Sequence, residues 1–379
     1  MAQPTEGGVA GVVVHLVADQ VGAGWDVALA CPPSGPLAAA AADAGAWVLP
    51  WTAVRSVGAS AVTEALRLRS LVGHVNPDLV HLHSAKAGLA GRLALRGRRP
   101  TIFQPHAWSF DAVTGPMRWA SLMWEWYANR WTDLITCVSE HERRRGPWWR
   151  ENAAVTVVPN GVDLSRFHAC DDADRARARH ALGMPAAPTV ICVGRLCRQK
   201  GQDLLLAAWP RIVEAVPSAQ LVLVGDGPDR AALSAAAPAG VRFAGGTDDP
   251  RPWYAAADVV AMPSRWEGMA LVQLEAMASA RCLVATDVGG VRESALAGAA
   301  AAVPVGDIDA LADALIVRLQ QPEIAAAEAA AGRARVCRDH DLDRATERMR
   351  MAYLDTIASL PEARPSRFRL GRVRVGAAR

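Results

Sequence analysis

The sequence contains little lysine, no long apolar run and no closely spaced pair of cysteines. Lysine occurs only at Lys86 and Lys200. No apolar stretch approaches the roughly 18 residues that a membrane-spanning helix needs. The seven cysteines are scattered without a C-x-x-C pair, which argues against a zinc ribbon and a disulfide framework. The opening residues lack the cationic segment of a secretion signal. We therefore expect a protein of the reducing cytoplasm.

The chain also lacks a strong excess of charge of either sign. Its formal net charge is +3, from 41 basic and 38 acidic residues. A dedicated nucleic-acid binder would be far more basic, so we expect no nucleic-acid partner. The basic residues are concentrated at the end, because residues 361–379 carry six arginines and one acid, Glu362. We interpret this segment as a basic tail.

Two segments combine arginine with apolar side chains. They are the basic tail and a stretch in which Arg143–Arg145 is followed by Trp148 and Trp149. Cations and tryptophan both favour an anionic bilayer surface. A solvated helix end and a disordered tail are the alternative. The sequence thus raises peripheral contact with an anionic membrane, at the inner face of the plasma membrane, as one of two interpretations.

What the chain does contain is an alternation of short apolar runs and amphipathic stretches, in two successive series. Repeated β-α-β order predicts a parallel sheet with helices on both faces. Hydrophobic residues make up 51% of the chain, enough for two cores. The fold class is therefore α/β with two doubly wound units. The predicted strands are 27–31, 79–82, 101–104, 134–138 and 155–158, then 189–193, 220–224, 241–244, 259–262 and 283–286.

The two series divide the chain into predicted domains. Residues 1–166 form an N-terminal unit, and residues 188–341 form a C-terminal unit. Between them, residues 167–187 are charged, rich in alanine and contain two prolines, which indicates a hinge with a short helix at about 172–182. The helices predicted to close the chain are 308–320, 324–338 and 342–360.

The N-terminal unit begins unusually. A doubly wound domain opens with a strand that leads into a glycine-rich turn. Here Gly7 and Gly8 follow only six residues. We therefore expect the N-terminal sheet to lack its first strand, which would weaken the turn that presents these two glycines.

Glu267 and Glu275 form the most informative constellation of the second half. Glu267 follows a predicted strand, and Glu275 lies eight residues later on a predicted helix. At about 1.5 Å per helical residue the carboxylates would be about 12 Å apart. That is too far for an acid–base pair, but it suits one long ligand with an anion at the helix start. On spacing alone, two ordinary surface glutamates are an equal alternative.

Three more segments follow predicted strands, at the edge where a parallel sheet binds its ligand. Arg195 and Lys200 flank a loop that ends at Gly201, and both cations suit phosphate oxygens. Gly227 lies in a glycine-rich turn that allows close backbone approach to a ligand. His106 stands at a strand end, where it could face a sugar. For each of these residues alone, a purely structural role is an alternative.

Together these segments resemble the retaining glycosyltransferases of family 4. The match covers about residues 5–295 in the family's order, and its most specific parts are the E-x7-E motif and the G-R-L…K-G loop. The matching segments are TEGGVAGVV, DLVHLHSAKAGLAGR, QPHAWS, TCVSEHERRRG, VVPNGVD, VGRLCRQKG, VGDGPDR, AADVVAMPSRWEGMALVQLEAMA and TDVGGVRE. The resemblance implies the GT-B fold, in which two Rossmann-like domains face a central crevice. It also implies that the donor binds the C-terminal domain and that the last helix crosses back.

The resemblance also implies roles for residues of the C-terminal domain. Arg195 and Lys200 would hold the donor diphosphate and stabilise the leaving nucleotide. Glu275 would bind the ribose. Glu267, with the backbone of Gly268 and Met269, would hold the donor sugar.

From the N-terminal domain, His106 would contact the sugar, and Gly7 and Gly8 would approach the phosphates. The sequence departs from the family after the E-x7-E helix, because Ala280 and Cys282 stand near the places of a usual glycine and proline. We expect this to alter a turn rather than the chemistry.

Fixed cations and helix N–H groups would stabilise the leaving group, so the resemblance requires no metal and no cofactor. The D-x-D triplets 307–309 and 341–343 are interpreted as helix starts or surface residues. The expected activity is transfer of a sugar from a nucleotide donor, UDP- or GDP-linked, to a hydroxyl of a sugar, polyol or lipid-linked acceptor, with retention of configuration. It would serve cell-surface polysaccharide, glycolipid or small-glycoside biosynthesis. A sugar-nucleotide epimerase of the same fold and an inactive sugar-nucleotide-binding protein are the alternatives.

Overall fold

The computed structural model describes residues 1–54, 60–147, 153–295 and 298–359. It confirms the predicted α/β class. The strands are β1 Ala28–Cys31, β2 Trp47–Pro50, β3 Val80–His83, β4 Thr101–Gln104, β5 Leu134–Cys137, β6 Ala154–Val157, β7 Thr189–Val193, β8 Gln220–Val224, β9 Val241–Gly245, β10 Val259–Met262, β11 Cys282–Thr286 and β12 Ala301–Val303. The helices are α1 Gly8–Gly22, α2 Pro36–Asp43, α3 Ser60–Val75, α4 Ser84–Leu95, α5 Gly115–Ala128, α6 Glu140–Arg145, α7 Asp172–Ala181, α8 Gln202–Ala215, α9 Arg230–Ala236, α10 Arg251–Ala256, α11 Leu271–Ala278, α12 Val291–Ala295, α13 Ile308–Gln320, α14 Pro322–Asp339 and α15 Leu342–Ala358.

The C-terminal sheet is parallel, with strand order β12-β11-β10-β7-β8-β9. This is the Rossmann order, and the chain reverses direction across the sheet between β7 and β10. Every residue of β10 and β11 is buried, because helices cover both faces of the sheet. Ligands of such sheets bind beyond the carboxyl ends of the strands at the reversal. The loops after β7 and β10 are therefore the expected site.

The N-terminal half pairs β3-β4-β5-β6 and β1-β2, all in parallel. Met1 and Ala2 lie between the two groups. Ala2 N donates to Ala30 O at 3.1 Å, and Met1 O accepts from His83 N at 2.9 Å. Within residues 1–54 no strand precedes α1, and Ala2 contributes an isolated bridge at the place of the expected first strand.

Helix α15 packs on the N-terminal half. Met349 and Tyr353 are buried with Leu16 of α1 and Ile102 of β4. The Arg350 guanidinium also lies 3.0 Å from a carboxylate oxygen of Asp19. The end of the chain that follows the second sheet therefore returns to the first.

Polar contacts join the two halves near the expected site. Both carboxylate oxygens of Glu293 accept backbone N–H groups at the start of α6, from Glu140 at 2.7 Å and His141 at 2.6 Å. Asn160 Nδ2 donates to Met269 O at 2.8 Å. These bonds hold the loop after β10 and helix α12 against the N-terminal half.

Several elements differ from the sequence prediction. Strands β2 and β12 and helices α1–α4, α6, α10 and α12 were not predicted, and α14 begins at Pro322 rather than at residue 324. Trp148 and Trp149 and the basic tail 361–379 lie outside the described residues. Among the described helices, none has both the length and the apolar character needed to cross a membrane.

Candidate active site

The loops after β7 and β8 pack against each other through their backbones. Leu196 N donates to Asp226 O at 2.9 Å, and Asp229 N donates to Leu196 O at 3.1 Å. A Cβ atom at Gly227 would lie 2.2 Å from the carbonyl oxygen of Leu196. Gly227 is thus needed for this close approach, and its contact with a donor stays a prediction.

The loop after β7 brings Lys200 to Glu267. Lys200 Nζ lies 2.6 Å from Glu267 Oε1, and the two side chains are 20% and 8% exposed. Gly201, which ends the loop, has a φ of +68°, and a Cβ atom there would lie 2.0 Å from Pro263 O. Glycine at this position therefore lets the loops after β7 and β10 touch. Arg195 is half-buried on the same loop and forms no ion pair within the described residues.

Gly268 lies directly against the N-terminal half. A Cβ atom there would come within 3.0 Å of Ala107 N and of the carbonyl carbon of His106. Its own carbonyl oxygen accepts from Gly290 N at 2.6 Å. Helix α11 begins only at Leu271. The helical rise therefore does not apply between Glu267 and Leu271, and the expected separation of about 12 Å between the two carboxylates stays a prediction.

Glu275 has a partner, Tyr254, that was not predicted from the sequence. Its Oε2 accepts a 2.7 Å hydrogen bond from the hydroxyl of Tyr254 on α10. Burial raises the pKa of Glu275, against the opposing effect of this bond and of the positive charges of Lys200 and Arg166. Burial and the neighbouring carboxylate raise the pKa of Tyr254 well above its usual value. At neutral pH the tyrosine is therefore a donor that fixes the Glu275 side chain.

His106 belongs to a row of imidazoles. Its Nε2 lies 3.1 Å from His83 Nδ1, and the two rings are stacked with their centroids 5.4 Å apart. His83 in turn lies against His81, whose Nδ1 is 2.7 Å from the hydroxyl of Tyr353. Burial lowers the pKa of His106 to about 3, so the ring is neutral near pH 7. The H-x-H spacing of His81 and His83, which places both rings on one face of β3, is the sequence signal by which His83 could have been found.

The backbone around His106 is held in a strained conformation. His106 has a φ of +57° and Ala107 a φ of +106°, a region that residues with a Cβ atom rarely adopt. Glu142 of α6 accepts Ala107 N at 2.6 Å through Oε1 and Val138 N at 2.7 Å through Oε2. Burial raises the pKa of Glu142 to about 7. No sequence pattern signalled this residue, because one of its two partners, Ala107, lies 35 residues away in another segment.

The two N-terminal glycines lie at the start of α1. Gly7 is the N-cap with a φ of +77°, which explains the need for glycine. A Cβ atom at Gly8 would lie 3.8 Å from the side chain of Leu271, the first residue of α11. The starts of α1 and α11 therefore lie close together across the two halves.

The D-x-D triplets lie at helix starts, as expected. Asp307 Oδ1 caps α13 through Ala310 N, and Asp341 Oδ1 caps α15 through Asp343 N. Among the described residues no group of three or more histidine, cysteine, aspartate or glutamate side chains is arranged to hold a metal ion.

Comparison with known proteins matches both halves of the chain. A model described as Glycosyltransferase Family 4 matches residues 6–166, and one described as Glycosyl transferases group 1 matches residues 187–321. A GDP-mannose-dependent α-(1-6)-phosphatidylinositol monomannoside mannosyltransferase of Mycolicibacterium smegmatis is 34% identical over 293 residues, which cover 72% of this chain and 75% of that protein. The lipopolysaccharide core biosynthesis mannosyltransferase LpsB of Rhizobium meliloti is 32% identical over 52% of this chain and 60% of its own length.

Solved structures share the fold. Sucrose-phosphate synthase from Thermosynechococcus elongatus superimposes with a TM-score of 0.80 at 23% identity, over 95% of this chain and 96% of that one. The Anabaena protein HepE, in complex with UDP and glucose, gives a TM-score of 0.79 at 20% identity, over 95% and 98%. These likenesses confirm the GT-B fold. The family matches and the mycolicibacterial relative show that the chain is a glycosyltransferase and belongs to glycosyltransferase family 4.

Proposed function

We propose that the protein transfers a hexosyl group from a nucleoside diphosphate sugar to an acceptor hydroxyl, with retention of configuration and without a metal ion. The observation that carries this proposal is the meeting of Lys200 and Glu267 at the reversal point of the C-terminal sheet. Arg195, which makes no ion pair within the described residues, lies on the same loop. Two cations and one carboxylate thus face the place where such a sheet binds a nucleotide.

The residues suit the departure of a nucleoside diphosphate. As the bond from the anomeric carbon to the diphosphate oxygen breaks, negative charge grows on the phosphate oxygens. Arg195 and Lys200 stabilise that charge because they are fixed beforehand. Glu267 holds the Lys200 ammonium and binds hydroxyls of the donor sugar. Glu275, oriented by Tyr254, binds the ribose.

The N-terminal half closes the site from the other side. His106 is a neutral ring beside Gly268, and it offers a hydrogen bond to a sugar hydroxyl. The start of α1, with Gly7 and Gly8, faces α11 and approaches the diphosphate. In this proposal residues 1–166 form the acceptor-side domain, residues 167–187 the hinge and residues 188–341 the donor domain.

The first donor to test is GDP-mannose, because the mycolicibacterial relative is named as dependent on it. HepE was crystallised with UDP and glucose, so UDP-glucose is the second. The relatives act on a phosphatidylinositol mannoside and in lipopolysaccharide core synthesis. We therefore propose a lipid-linked sugar as the acceptor and a peripheral contact of the enzyme with an anionic membrane.

A donor screen tests the proposal. UDP-, GDP- and ADP-sugars are incubated with the protein, with and without a phosphatidylinositol monomannoside, and the nucleoside diphosphate released is measured. We expect GDP-mannose to be consumed faster with acceptor present, equally well in EDTA, and NMR of the product to show an α linkage. Binding of a donor by calorimetry without turnover would support the inactive binding protein instead. Conversion of the donor to its epimer would support the epimerase.

A further inference from the structure

Helix α5, Gly115–Ala128, presents an apolar stripe to solvent. Trp119, Met123 and Tyr127 recur every four residues and are 64%, 48% and 40% exposed, and Met117 in the first turn is 62% exposed. Residues four apart line one side of a helix. A helix on the surface of a globular protein normally turns such a stripe toward the core and its charged residues toward water. Here the arrangement is reversed.

The core-facing side of α5 explains how the helix keeps its place without that stripe. Glu125 is buried and forms an ion pair with Arg92 of α4 at 2.6 Å. The Ser121 hydroxyl lies 2.6 Å from the Ser109 hydroxyl, which also donates to Glu125 at 3.1 Å. The helix is therefore fixed by polar bonds on its inner side and by Leu122, which packs against the N-terminal core. Of its outer apolar residues, Tyr127 also packs edge-on against Trp131 just after the helix, with ring centroids 5.2 Å apart.

The exposed charges of α5 itself are of one sign. Glu125, the one acid of α5, is buried and paired, so no acid of this helix faces solvent. Arg118 is exposed on the helix, and the Arg130 guanidinium just after its end lies 3.8 Å from the centre of the Tyr127 ring. Arg145 of α6 pairs with Asp111, four residues before α5, so that this acid is paired as well.

We propose that this face of α5, Trp119, Met123 and Tyr127 with Arg118 and Arg130, docks onto the surface of an anionic lipid bilayer. Tryptophan and tyrosine suit the headgroup level of a bilayer. An apolar stripe flanked by arginine is typical of a helix that lies in the membrane interface. The arginines are complementary to anionic headgroups, which favours a bilayer over a second copy of this basic surface.

The position of α5 gives such docking a consequence. Ser109, which holds the helix, lies three residues after His106. Docking therefore places the crevice edge of the N-terminal half close to the bilayer, where a lipid-linked acceptor would be. This inference locates the membrane contact proposed above on described residues, and it rests on that proposal only for the nature of the acceptor.

Vesicle sedimentation without any donor or acceptor tests the inference separately from the transfer assay. The native protein, a W119Q/Y127Q variant and W47Q are each mixed with two kinds of vesicle. One kind is phosphatidylcholine alone, and the other is phosphatidylcholine with about 30% of the anionic lipid phosphatidylglycerol. Trp47 lies on β2 and is 67% exposed, so W47Q is a matched control. Far-ultraviolet circular dichroism confirms that each variant is folded, and R118E serves as a second variant if W119Q/Y127Q is not.

We expect the native protein and W47Q to bind the anionic vesicles and to be released as salt screens the charges. W119Q/Y127Q should bind at least about tenfold more weakly, because two large apolar groups no longer enter the interface. Equal sedimentation of W119Q/Y127Q and the native protein would overturn the inference and leave the basic tail as the contact. Equal binding to neutral vesicles would also overturn it. The inference would also be overturned if sedimentation velocity showed the native protein to be a dimer and W119Q/Y127Q to be a monomer.

Discussion

Lys200 and Glu267 form an ion pair of 2.6 Å although 67 residues separate them in the sequence. Each stands on a loop that follows a strand at the reversal point of the C-terminal sheet, β7 for Lys200 and β10 for Glu267. An ammonium group has three hydrogen-bond donors. Glu267 takes one of them and holds Lys200 in place, which leaves two for phosphate oxygens. The pair therefore serves both to orient the cation and to join the two loops.

Replacement of Lys200 by alanine should lower kcat about 10²- to 10³-fold with saturating donor. This loss corresponds to about 2.7–4 kcal/mol, as for removal of one fixed group that stabilises a transition state. The measurement is donor turnover at several donor concentrations. R211A is the control, because Arg211 pairs with Asp309 and Asp313 on the exposed surface between α8 and α13, and it should keep native turnover. A near-native kcat for K200A would contradict the assignment of this loop.

Arg195 and Arg198 lie on one loop and differ in their surroundings. Arg195 is half-buried without an ion pair in the described structure, whereas Arg198 is exposed with its guanidinium 5.8 Å from the centre of the Trp266 ring. If Arg195 holds the diphosphate, R195A should lose about 10²-fold or more in kcat/KM, and R198A should change it by less than about threefold. Comparable losses in the two variants would show that the loop acts through its general charge.

Replacement of Gly268 by alanine tests the contact between the halves. The added Cβ would meet the backbone of His106 and Ala107 at about 3.0 Å and a methyl group of Val138 at 2.9 Å. Because the loop around His106 is strained and held by Glu142, it has little room to move. We expect G268A to lower kcat about tenfold or more, since displacement of a positioning group by 1 Å can cost up to 10². G246A is the matched control, because nothing lies within 4 Å of a Cβ there.

His106 should contribute to the loss of stability in acid. Its pKa is lowered by burial from 6.5 to about 3. Below pH 6.5 the unfolded chain therefore binds a proton at this residue that the folded chain does not, and the folded state loses stability as the pH falls toward 3. Between pH 7.5 and pH 5 this amounts to at most about 2 kcal/mol.

Urea unfolding at both pH values measures this effect. H106N should lose less stability than the native protein between pH 7.5 and pH 5. H168N alters an exposed histidine and should follow the native protein. An unchanged pH dependence in H106N would mean that the ring at residue 106 takes up its proton in the folded state as well.

The elements that could be predicted from the sequence are those whose burial is evident from a local run of apolar residues. Strands β7, β8, β10 and β11 are continuous apolar runs in the centre of a sheet. β2 was not predicted because it is an outer strand, which among the described strands pairs only with β1 and leaves Trp47 exposed. β12 has three residues, two of them alanine, and carries little strand preference. Helix α1 was hidden by glycines at its start and by its mixture of alanine and valine.

Some residues of the candidate site could likewise be predicted from the sequence, and others could not. Glu267, Arg195 and Lys200 follow predicted strands, so the topology alone brings them to one edge of the sheet. His83, Tyr254 and Glu142 could not be assigned, because each acts on a residue from another segment. His83 meets His106 across neighbouring strands, Tyr254 reaches Glu275 from α10, and Glu142 binds backbone groups that follow β4 and β5.

Ala280 occupies a backbone position made for glycine, which explains why the sequence departs from the family there without losing the turn. Helix α11 ends in a Schellman motif, in which Ala280 N donates to Met277 O and Arg281 N donates to Ala276 O, both at 3.0 Å. Ala280 has a φ of +51°. The left-handed region costs a residue with a Cβ atom about 1–2 kcal/mol. Glycine avoids that cost, but it loses more conformational entropy on folding, which costs about 0.5–1 kcal/mol. A280G should therefore be more stable than the native protein by about 0.5–1 kcal/mol, which is a rise of about 1–3 °C in Tm.

A327G, on the exposed side of α14, is the control of opposite sign and should lose about 1 kcal/mol. Differential scanning calorimetry of the three proteins measures this, and a lower Tm for A280G would show that the alanine methyl group contributes more by packing than it costs in strain.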